Sequence, residues 1–70
     1  MYTAEEKELI LDKVDKMSLS QDFTGAFEYI KNEVYVPFDP TEEEEFKANL
    51  KQLVKINALK FGIQYEGVFN

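Results

Sequence analysis

Apolar residues recur along most of this chain at helical rather than alternating spacing. Leu9, Ile10, Val14 and Met17 fall on one face of a first segment and Leu11 widens the stripe, while Glu5, Glu6, Glu8, Asp12 and Asp15 take the rest. Thr3 and Glu6 form a capping box ahead of it, so a helix is expected over about 3–17. Phe23, Ala26, Phe27, Ile30 and Val34 repeat the pattern and predict a second helix over about 20–34. Ser18 or Ser20 would cap it, with Asp22 in its first turn, and Gly25 would permit a close helix crossing.

Pro37-Phe38-Asp39-Pro40 is the strongest break in the chain, because each proline blocks a helix on its own side. Beyond it, Thr41 and Glu44 read as another capping box, and Glu42–Glu45 load the positive end of the helix dipole. Phe46, Leu50, Leu53, Val54, Ala58 and Phe61 form the inward stripe of a third helix over about 41–61. Gly62 is placed to end it in a left-handed cap. Val34-Tyr35-Val36 and residues 63–69 resist a helical reading, being rich in β-branched and aromatic side chains. The expected fold is mainly α: one small domain over 1–70, a three-helix bundle with an extended C-terminal tail that could pair as a β-strand with 34–36.

A chain of 70 residues buries only about 60% of the surface its unfolded form exposes, which leaves it marginal without further support. Cys and His are both absent, so disulfides are impossible and a structural zinc site is nearly excluded. Association with a copy or a partner is the remaining source of stability. The same two absences remove nucleophile–base pairs of the Cys–His and Ser–His kinds, and no enzymatic activity and no cofactor are expected. Carboxylate pairs can hydrolyse glycosides only in a cleft that holds a sugar, which so small a core seldom forms. Glu42–Glu45 fan around the helix, so they suit the dipole better than a cation, and no metal site is expected.

The net charge of −6 opposes binding to nucleic acid or an anionic membrane, and all eight basic residues are Lys, leaving no guanidinium to read a base. No apolar run is long enough for a membrane span and no signal-like start is present, so the cytoplasm is the expected compartment. Charge is divided along the chain. Residues 1–45 hold 13 acids and 4 Lys, net −9, whereas 46–70 hold 1 acid and 4 Lys, net +3.

Lys47, Lys51 and Lys55 read first as a solvated helix face. Ile56, Leu59 and Ile63 lie on a different side of helix three from its inward stripe, so they are either flanked within the bundle or exposed to a partner. Phe23, Phe27, Phe46 and Phe61 belong to the expected core, and Tyr2 to packing over the first helix start. Tyr29, Tyr35, Phe38, Tyr65 and Phe69 fall off the stripes, where aromatic rings serve as interface anchors. The candidate partner-binding residues are therefore Tyr29, Tyr35, Phe38, Ile56, Leu59, Tyr65 and Phe69.

The sequence reads best as a whole small polypeptide that binds another protein as an inhibitor, antitoxin or regulator. Its Lys-, Asn- and Ile-rich composition suggests an A+T-rich phage or bacterial source. Two alternatives stand beside this reading: a nucleic-acid mimic that blocks a basic protein, and a structural homo-oligomer.

Overall fold

A computed structural model describes residues 2–64. Three helices follow one another, α1 (Ala4–Leu19), α2 (Phe23–Glu33) and α3 (Pro40–Leu59). Among the described residues there is no strand. The ends of α1 behave as their residues dictate. Thr3 Oγ1 accepts the Glu6 N–H at 3.1 Å while Glu6 Oε1 accepts the Thr3 N–H at 3.1 Å, closing both arms of the capping box.

Ser18 and Ser20 finish α1 instead of starting α2, their hydroxyls donating back to the carbonyls of Val14 and Lys16. Gln21 then turns left-handed (φ 67°), and the Asp22 N–H reaches the Met17 carbonyl at 3.0 Å, a six-residue closure that satisfies the end of the helix. The cap of α2 is Asp22, whose Oδ1 accepts the Gly25 N–H at 3.1 Å. Gly25 therefore serves the cap and not a helix crossing: a Cβ there would collide with the Asp22 carboxylate.

The third helix also starts earlier than expected. Asp39 is its cap, accepting the Glu42 N–H at 3.0 Å, and Pro40 fills the first position, where a missing N–H does no harm. Thr41 lies inside the helix, so its capping box with Glu44 does not form. Gly62 ends α3 in the left-handed region (φ 77°), with the Ile63 N–H on the Ala58 carbonyl at 3.0 Å.

Contacts at the two ends set the directions. Lys7 Nζ meets Glu42 Oε1 at 2.8 Å near the starts of α1 and α3, and Asn57 meets Asp15 and Ser18 near their finishes, so these helices run parallel. The hydroxyl of Tyr2 reaches the backbone of Tyr35 and Phe23 lies edge-on to Phe61, which sets α2 antiparallel to both.

The core consists of Val14, Phe23, Ala26, Ile30, Val34, Phe46, Leu50, Val54 and Ala58, with Ile10, Met17, Phe27, Leu53 and Ile63 packed around it. Three residues assigned to inward stripes by spacing, Leu9, Leu11 and Phe61, are exposed and not in the core. Leu9 stands about 140° round α1 from Val14 at 100° per residue, and it is 70% exposed. Phe61 lies past the last turn of α3 and covers only the edge of Phe23.

One polar side chain takes a core place. Asn57 is buried, and its Nδ2 donates to Asp15 Oδ1 at 2.8 Å and Ser18 Oγ at 2.7 Å. Every buried side-chain donor and acceptor among the described residues is partnered. Asn57→Ala removes the side-chain amide that bridges the two parallel helices and leaves the buried Ser18 without that donor. It is expected to lower the unfolding free energy by about 1–3 kcal/mol, read from urea denaturation at constant slope.

Candidate interaction surfaces

The connection between α2 and α3 runs extended from Val34, and its side chains alternate. Val34 and Val36 are buried, while Tyr35 is 63% exposed and Phe38 is wholly exposed at 103%. Backbone donors in this segment are taken by side chains from other elements. Tyr2 Oη accepts the Tyr35 N–H at 2.9 Å, and Glu43 Oε1 accepts the Val36 N–H at 2.9 Å. The N–H groups of Tyr35 and Val36 are thus already used. The other half of the expected strand pairing falls almost wholly on residues 65–70, which lie outside the described residues.

Phe38 holds a left-handed backbone (φ 66°), a conformation that costs a non-glycine residue about 1–2 kcal/mol. Its ring touches no core. Val36 and Val34 before it and the Asp39 cap after it hold the turn in place, so the ring is presented at the end of the bundle where α1 and α3 begin.

The remaining sequence candidates do not join this tip. Ile56 and Leu59, 48% and 58% exposed, lie toward the opposite end, on one side of α3. Leu19 and Phe61 are exposed at that same end. Tyr29 is half-buried against the core, where Lys13 Nζ lies 4.7 Å from its ring centre, and burial pushes its phenol above the ordinary value. Tyr65 and Phe69 lie outside the described residues.

A third surface carries none of the candidates named from sequence. The outer face of α1 and Leu53 of α3 bound a shallow depression lined by Leu9, Leu11 and Leu53 with Glu5, Glu8, Asp12 and Asp15. Its signal lies in the spacing: acids at 5, 8, 12 and 15 make one helical ridge, with Leu9 and Leu11 on its two flanks.

The acids at the start of α3 separate as their helical positions require. Glu42 turns to Lys7, Glu43 to Val36 and Lys47, and Glu44 and Glu45 to solvent. Among the described residues no three acids converge on a point where a metal ion could sit. Lys47 Nζ meets Glu43 Oε2 at 3.3 Å and also reaches the Lys31 carbonyl at 3.5 Å, so the first member of the lysine stripe is structural as well as solvated.

Residues 3–61 match the model of the Lactococcus phage gp38-like protein family. The chain belongs to that family. It is 66% identical over 71 residues to "Gene product 38" of a Lactococcus phage, with both chains covered in full. No solved structure matches it significantly. A phage origin follows for this gp38-like chain. Among its described residues no helix is long and apolar enough to cross a membrane.

The Val36 N–H, reinforced by Lys47, holds the Glu43 carboxyl below its ordinary value of 4.5. A lowered folded-state value stabilises above the unfolded pKa, and that contribution disappears as pH falls through the folded value. Glu43→Gln should accordingly be less stable than the parent at pH 7, with the gap closing as pH is lowered past 4.5 and below. Urea denaturation at stepped pH reads the gap, and one that stays constant with pH contradicts this account.

Proposed function

We propose that this phage protein is a non-enzymatic protein-binding module that regulates or inhibits another protein, working in the host cytoplasm. The observation that carries this reading is Phe38, an aromatic ring fully in solvent on a left-handed backbone. Folding alone favours Gly or Asn at such a position, since they tolerate positive φ with little strain. A phenylalanine there sacrifices local stability, and strained residues of this kind cluster at functional sites. Tyr35, three residues earlier on the same connection and mostly exposed, adds a second aromatic anchor of the type enriched at protein interfaces.

The pinned connection strengthens the reading. With Tyr2, Glu43 and Asp39 holding its backbone, the tip loses little freedom on binding. The absence of Cys and His supports a role without catalysis, and the net charge of −6 supports a partner other than nucleic acid.

Phe38→Gly separates the two roles of the residue. It is expected to fold with equal or higher stability, by up to about 1 kcal/mol, because the strain is relieved. The wild-type protein, immobilised, should retain a protein from a Lactococcus lysate that the folded Phe38→Gly variant does not. Equal retention by both removes the tip from the interface. Sedimentation at several concentrations tests the homo-oligomer: association of the wild type that Phe38→Gly abolishes would make the partner a second copy.

A further inference from the structure

We infer that the outer face of α1, with Leu53 of α3, is a second docking surface, and that its occupant is a basic amphipathic helix of another protein. The inference does not depend on the aromatic tip, since Phe38 contributes nothing to this face.

Three leucines open into one depression there. Leu9 is mostly exposed and Leu11 borders on exposed, while Leu53 is partly covered by the core. Apolar side chains gathered in a depression, not scattered, mark a place where a partner covers them. Between the leucines of α1 runs the ridge of Glu5, Glu8, Asp12 and Asp15, with steps of three, four and three residues. At 1.5 Å per residue the ridge is about 15 Å long, or roughly three turns of a helix laid beside it.

Its charge is largely uncompensated. Lys16 pairs with Asp12 at 2.9 Å, and Asp15 accepts from Asn57, but among the described residues Glu5 and Glu8 have no cationic partner. Lys13, next to the ridge in sequence, turns away to the Tyr29 ring. Lys7 likewise turns to Glu42 and Phe46.

An acidic ridge flanked by leucines selects its complement. The partner helix needs Lys or Arg at spacings of three and four to meet the ridge, and apolar residues on either side of that stripe to cover Leu9 and the Leu11–Leu53 pair. A lipid headgroup or nucleic acid has the wrong sign. A second copy is a poor fit, because the lysine stripe of α3 is bordered along Lys47 and Lys51 by Glu43, Glu44, Ala48 and Gln52, and its exposed apolar neighbours Ile56 and Leu59 stand only at its far end, beyond Lys51, and do not flank it on both sides. The net charge of −6 on each copy opposes the approach as well.

The probe is an 18-residue peptide of Leu and Lys arranged as an amphipathic helix, with a scrambled peptide of identical composition as control. Titration of the wild-type protein followed by NMR should show saturable shifts at Leu9, Leu11 and Leu53 for the patterned peptide. The scrambled peptide should bind at least tenfold more weakly. Leu9→Ser, a change at a mostly exposed side chain that leaves the fold intact, should weaken the patterned peptide about tenfold. Glu8→Gln should weaken it less and reduce its salt dependence. Phe38→Gly should have no effect, which keeps this surface distinct from the aromatic tip.

Equal binding of both peptides, or binding unaltered by Leu9→Ser, would reduce the surface to unspecific charge and overturn the inference. Shifts confined to other faces would do the same. Concentration-dependent dimerisation lost in Leu9→Ser would replace the basic helix with a second copy.

Discussion

The parallel pairing of α1 and α3 is the constraint on which the remaining structure rests. Short loops join antiparallel neighbours, so no tight turn holds these two parallel helices side by side. Packing of Val14 with Leu50, Val54 and their neighbours draws them together without setting how far one slides along the other. Axial position comes from polar contacts at each end: Lys7 with Glu42 and Phe46 at one, Asn57 with Asp15 and Ser18 at the other. Directional bonds fix a register that apolar contact leaves open. With that register set, Leu53 stands beside the outer face of α1, and α2 occupies the remaining groove with Phe23, Ala26 and Ile30.

The same economy governs the connection from α2 to α3. An extended segment this short has few partners of its own, and its buried valines anchor it from below. Glu43 accepts from Val36, pairs with Lys47 one turn along its own helix, and thereby ties the segment to the start of α3. The strain at Phe38 persists because the turn is held on both sides.

Local features of the fold are legible in the sequence because they depend on residues three or four apart. The Thr3–Glu6 box and the Gly62 cap form as their spacing dictates. Where two local solutions compete, sequence does not decide. Asp39 followed by Pro40 outcompetes Thr41 as the cap of α3, and Asp22 outcompetes Ser18 and Ser20, whose hydroxyls find carbonyls to donate to within α1. The lateral limits of each buried face are hidden as well. Three short helices bury only a narrow arc each, which leaves Leu9 outside, and a stripe read by apolarity alone passes over Asn57, whose partners are 42 and 39 residues away. Phe38 and Tyr35 are visible as aromatics off the stripes, but the positive φ that gives Phe38 its meaning comes from the pinned connection. The spacing of the acids at 5, 8, 12 and 15 is legible in the sequence, but it gains meaning only once Leu9 and Leu11 are known to be exposed, since acids beside inward leucines look like ordinary solvated surface.

Tyr2 carries an implication for mutagenesis of the protein. Its ring packs at a tilt on Phe46 while its hydroxyl accepts a hydrogen bond from the Tyr35 N–H of the α2–α3 connection, so Tyr2 is a strut under that connection. A substitution of Tyr2 would therefore loosen a segment 33 positions downstream.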